Sequence, residues 1–116
     1  MSAPDRIRFA LAFAASLGAA ATRGDALWID VRSNAEFRDA HIDGDANLPH
    51  DRISQQIAAL EPDTSREIVV YCGTGKRALR ARSSLQQLGY TRVYSGGSIT
   101  EVRKVRARPR RCWPWR

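Results

Sequence analysis

An apolar run, Ile68-Val69-Val70-Tyr71, passes without a break into Cys72-Gly73-Thr74-Gly75-Lys76-Arg77 and then into Ala78, Ala81, Leu85 and Leu88 at helical spacing. The run is short and continuous, as a strand buried on both faces reads. The stripe that follows closes at Gly89, the residue type favoured just past a helix end. A strand that turns through glycines into a helix is one βα unit, and it commits the chain to a mainly parallel sheet flanked by helices. Sheets of this kind bind ligands beyond the carboxyl ends of their strands. The same feature therefore says where function is to be sought.

The other segments agree with an α/β fold. Ala26-Leu27-Trp28-Ile29-Asp30-Val31 predicts a second buried strand. Ser33-Asn34-Ala35-Glu36 is a capping-box pattern that opens a short helix, with Phe37 as its apolar anchor. Asp43-Gly44-Asp45 makes a turn before a brief extended piece over 46–48, ended by Pro49. Ile53, Ile57 and Leu60 mark one face of a helix that Pro62 stops. Arg92-Val93-Tyr94 is a further extended piece, and Ser98-Ile99-Thr100-Glu101 repeats the capping box to open a last helix. With 116 residues the chain has room for one such domain.

Charge is distributed unevenly along the chain. The formal net charge is +7, yet residues 22–102 hold ten bases and eleven acids. The excess sits in residues 103–116, which carry seven bases and no acid. A near-neutral folded segment argues against nucleic acid as a partner of the domain. The stretch 103–116 is expected to be a disordered basic tail, whose mixed arginine and tryptophan would also suit an anionic membrane surface. Residues 1–21 have a short basic start, an apolar centre from Phe9 and the small residues Ala19-Ala20-Ala21, the layout of a secretory signal peptide. The expected organisation is thus a signal over 1–21, a domain over 22–102 and a tail over 103–116, exported to a periplasm. Two cysteines and two histidines make neither a disulfide framework nor a four-ligand zinc site with anything to spare.

Three effects converge on Cys72. Gly73 and Gly75 let successive backbone N–H groups turn toward one centre, the helix behind them adds its positive end, and Lys76 and Arg77 bring cationic charge within one turn. All three favour thiolate over thiol, and the thiolate is the nucleophile. A cysteine ending an apolar strand can also be a plain small hydrophobe, but such a residue needs neither glycines nor bases behind it. The loop formally fits a dinucleotide fingerprint, yet the next strand ends at Tyr94-Ser95 with no acid for a ribose. It fails as a P-loop because Val70 stands at the first glycine position and Arg77 where a magnesium-binding hydroxyl belongs. Cysteine-dependent phosphatases resemble it more closely, but they place five residues between Cys and Arg where this chain has four. A tighter ring suits a single sulfur better than a phosphoryl group.

Taken together, Asp30-Val31-Arg32 with Glu36-Phe37, the stretch His41 to Pro49, Tyr71-Cys72 with the loop to Arg77, Leu88-Gly89-Tyr90 and Val93 to Gly97 resemble a rhodanese-like domain over about residues 26–102. Within that family the chain is most similar to small exported single-domain members of the phage-shock type. The resemblance implies a five-stranded sheet flanked by helices on both faces and sulfurtransferase activity without a metal or organic cofactor. It implies a persulfide on Cys72 and anion contacts from Gly73, Thr74, Gly75, Lys76 and Arg77. Thiosulfate is the implied donor, with cyanide, a thiol or a protein dithiol as acceptor, and the chain is expected to be a monomer. A non-catalytic sulfur carrier or regulatory module, or a phosphatase, are the alternatives. Asp30, Arg32, Glu36 and His41 match family positions read here as structural, and Asp45 is a minor departure from the family's small residue.

Overall fold

The computed structural model describes residues 25–115. Its elements are β1 (Leu27–Asp30), α1 (Asn34–Asp39), β2 (Ala46–Asn47), α2 (Ile53–Leu60), β3 (Ile68–Cys72), α3 (Lys76–Gln87), β4 (Val93–Ser98) and α4 (Ile99–Arg106), followed by a 3₁₀ turn at Arg110–Cys112. The strands form one sheet in the order β2-β1-β3-β4, with every pairing parallel. Four strands are present among the described residues, one fewer than the resemblance implied. The residues themselves offered only four extended segments, and each of those became a strand.

Strand periodicity divides the core in two. Ile29, Val31, Ile68, Val70, Cys72 and Val93 point to one face and meet Ile53 and Ile57 of α2 and Ala78, Ala81 and Leu85 of α3. Trp28, Val69 and Tyr71 point to the other and meet Val102 and Val105 of α4. All five residues of β3 are buried, as its unbroken apolar run requires. Both capping boxes form: the Ser33 and Ser98 hydroxyls accept from the backbone of Glu36 and Glu101, whose carboxylates return to the cap residues. Beside β3 the register slips between Val70 and Tyr71, leaving Gly96 extra on β4. A Cβ at Gly96 would stand 2.8 Å from Val102 Cγ2, so glycine lets α4 sit close on the sheet.

The C-terminal stretch is not a disordered tail. The boundary expected after Val102 falls inside α4, and the chain beyond it folds back onto the sheet. Arg106 Nη1 donates to both Asp45 oxygens at 3.0 and 2.7 Å, and its guanidinium lies 4.4 Å from the Trp28 ring centre. Arg110 Nη2 donates to Glu67 Oε1 at 2.5 Å and covers Trp113. Trp113 is buried edge-on against Trp28, with ring centres 5.1 Å apart, and Trp115 stacks on Tyr94. The physical reason is a helical apolar stripe, Val102 and Val105, continued by tryptophans, with two arginines reaching buried carboxylates. Asp45 is consequently no minor departure, since Tyr71 Oη also donates to it at 2.6 Å. Burial and that acceptor raise the Tyr71 pKa well above a free phenol's. The expected signal over 1–21 lies outside the described residues.

Candidate functional site

Cys72 is the last residue of β3, and its backbone is paired with Ser98 of β4. Its side chain is fully buried among the residues that face α2 and α3. Gly73 and Thr74 follow as exposed bends, and Gly75 is the N-cap of α3 at φ +100°. That left-handed conformation favours glycine and swings the Gly75 N–H back to the sulfur, where it donates to Sγ at 2.9 Å. The first N–H groups of α3 open toward the same end of the strand, without intrahelical acceptors. One donor on the sulfur, with a helix N-terminus beside it, is a setting for a sulfur anion and for anionic ligands.

The two bases of the loop are treated differently. Lys76 is exposed. Arg77 is half-buried, and its Nη1 and Nη2 donate to Glu36 Oε1 and Oε2 at 2.7 and 3.1 Å. Glu36 is already fixed from behind, because Ser33 donates to Oε1 through both its backbone N–H and its hydroxyl. The Arg77 guanidinium and then the Ser33 N–H hold the Glu36 carboxyl at about 2, well below the usual range. Glu36 in turn raises the Arg77 pKa. A Cβ on Gly73 would lie 3.4 Å from Arg77 Nη2, so the guanidinium lies across the loop. Arg77 thus braces the loop against the first turn of α1. Sequence reasoning took Arg77 as an anion contact and Glu36 as a cap; their bidentate pair, 41 residues apart in the chain, was not foreseen.

The positions read as structural behave so. Asp30 is fully buried and accepts from Arg32 through Nε, Nη2 and the backbone N–H, while Arg32 Nη2 also donates to Ala40 O at 2.7 Å. Asn47 donates to Asp30 O and Arg32 O, locking β2 to the end of β1. His41 donates from Nδ1 to Phe37 O at 2.8 Å and stacks on the Phe37 ring.

Several cavities open among the described residues, two of them beside the sheet. One of about 360 Å³ lies on the face away from Cys72, between Trp28, Trp113, Arg106 and Arg110, whose guanidiniums already hold Asp45 and Glu67. The other, about 280 Å³, opens beside the end of the Cys72 loop between Asn34, His50, Asp51, Arg52 and Arg77. No residue pattern in the sequence announced it, because its walls come from three segments far apart in the chain.

Comparison with known proteins adds four findings. A family model described as a rhodanese-like domain matches residues 13–100. A protein named thiosulfate sulfurtransferase PspE, from Escherichia coli K12, is 32% identical over 75 residues, covering 65% of this chain and 72% of that one. A tRNA uridine(34) hydroxylase from Erwinia tasmaniensis is 31% identical over 99 residues, but the chain spans only 28% of its length. Among solved structures, one titled "rhodanese with anions from E. coli" superposes with a TM-score of 0.63 at 31% identity, covering 66% of this chain and 91% of that one.

Proposed function

Because the chain belongs to the rhodanese-like domain family, we propose that it is a thiosulfate-type sulfurtransferase whose nucleophile is Cys72. The observation that carries this is the Cys72 sulfur facing the Gly75 N–H at the start of α3, beyond the end of a central parallel strand. In the first half-reaction the Cys72 thiolate attacks the outer sulfur of thiosulfate. The S–S bond of the donor breaks, sulfite leaves with its electron pair, and a Cys72 persulfide remains. Loop amides from Gly73 to Arg77 stabilise the anionic sulfur in place, and Lys76 draws in the dianion. In the second half-reaction an acceptor nucleophile removes the outer sulfur and restores the thiolate. Arg77, braced by Glu36, keeps the ring of amides in shape. No metal or organic cofactor enters either step.

Mass spectrometry after exposure to thiosulfate tests the reading. The expected result is one added sulfur on the wild-type chain, removed by cyanide and absent from Cys72→Ser. A chain that takes up no sulfane sulfur from any donor overturns it. Slow discharge of a readily formed persulfide would instead favour a sulfur-carrier module. Export is part of the proposal, on the signal-like pattern of residues 1–21. The hydroxylase activity named for the longer relative is not carried over, since most of that protein has no counterpart in this chain.

A further inference from the structure

The cavity beside the active loop holds charged side chains that sulfur loading leaves unused. We propose that it is the acceptor subsite and that it selects a small thiol carrying both a carboxylate and an ammonium group, Arg52 binding the first and Asp51 the second. This rests on the sulfurtransferase reading above.

Position comes first. Arg77 closes the loop, lies against Gly73 and also walls the cavity, so the cavity adjoins the loop that carries Cys72. Charge comes second. Arg77 is held in a bidentate pair by Glu36 and serves as a fixed wall. Arg52 and Asp51 are exposed at the start of α2, and among the described residues neither side chain has an ion-pair or hydrogen-bond partner. Adjacent opposite charges leave the cavity close to neutral, a poor seat for a dianion such as thiosulfate and a fitting one for a zwitterion. Size comes third. A cavity of about 280 Å³ lies at the lower end of small-molecule sites, which run from roughly 300 Å³ upward. It has room for a ligand of amino-acid size, with Asn34 and His50 as further polar walls.

The step balances without an outside oxidant. The acceptor thiolate attacks the outer sulfur of the Cys72 persulfide, a new S–S bond forms on the acceptor, and the enzyme's S–S bond breaks. Its electron pair returns to Cys72 as thiolate, and the proton of the acceptor thiol has gone to solvent.

The test uses the full chain, loaded with thiosulfate, desalted and mixed in single turnovers with cysteine, 3-mercaptopropionate, cysteamine or 2-mercaptoethanol. Each thiol is compared with itself across variants, so differences in thiol basicity cancel. Arg52→Gln is expected to slow discharge by cysteine and 3-mercaptopropionate about tenfold more than discharge by 2-mercaptoethanol. Asp51→Asn is expected to slow cysteine and cysteamine severalfold more than the two thiols that lack an ammonium group. Equal effects on all four thiols, or none, with a normally loaded Cys72, overturn the subsite alone. Failure of the wild-type chain to load any sulfur overturns the sulfurtransferase reading and the subsite with it.

Discussion

The Cys72 loop and the C-terminal stretch both bring arginine to a carboxylate, in very different surroundings. Arg106 and Arg110 reach Asp45 and Glu67, whose side chains are 3% and 4% exposed, and both guanidiniums also cover tryptophan rings. Arg77 reaches Glu36, whose side chain is 41% exposed and is otherwise held by the Ser33 N–H and hydroxyl. In the first setting the charge is enclosed and the pair holds one layer of the fold to another. In the second the pair stays near water, beside the loop whose Gly75 N–H meets the Cys72 sulfur. Identical pairs of residue types therefore join layers of the core in one place and brace an exposed loop in the other, and the two differ in the burial of the carboxylate.

Three substitutions separate the two settings, beginning with the largest effect. Cys72→Ser removes the one soft nucleophile of the loop, and turnover should fall by at least about 10³-fold with the thermal midpoint little changed. Activity near wild type in that variant would show that the nucleophile lies elsewhere. Trp113→Ala should do the opposite. Losing a buried indole packed against Trp28 costs about 3 kcal/mol by the usual range for such truncations, read as a lowered urea midpoint. The folded fraction should keep its kcat. If the urea midpoint did not move, the C-terminal layer would be an ornament on a domain ending near Val102.

Glu36→Gln comes next, because it loosens a brace without touching the sulfur. Glutamine can still cap α1 but loses the bidentate charge-assisted pair, so kcat/KM for thiosulfate should fall about tenfold, mostly in kcat. A pH series sharpens it. The Glu36 carboxyl is held at about 2 against an ordinary value of 4.5. Its contribution to stability is therefore fully present above about pH 4.5 and disappears as pH falls toward 2. The wild-type chain should lose stability over that window more steeply than Glu36→Gln. Parallel acid curves would mean that Arg77 is held by something else.

What could be read in advance follows from range along the chain. The strands of the sheet, the two capping boxes and the glycine-bearing loop are each written in a short contiguous stretch, and each was legible. The Arg77–Glu36 and Arg106–Asp45 pairs span 41 and 61 residues, and no local periodicity encodes them. The C-terminal stretch was misread because seven bases hid the Val102 and Val105 stripe beneath them. Asp45 alone hinted at it, since a carboxylate where the family has a small residue needs a cation to be buried. The fifth strand was an expectation from resemblance alone, and the described residues hold four.

The smallest effect isolates free charge from paired charge. Lys76 and Lys104 are both exposed and neither has an ion pair among the described residues, but only Lys76 stands at the active loop. An exposed charge acts on a nearby ion with about 0.2–1 kcal/mol, screened by salt. Lys76→Glu should therefore raise the KM for thiosulfate a few-fold at low ionic strength, with the difference shrinking as salt is added, while kcat holds. Lys104→Glu, on α4, should leave KM where it was. If both reversals raised KM alike, the whole basic surface would be steering the donor, and the loop would owe its selectivity to the amides alone.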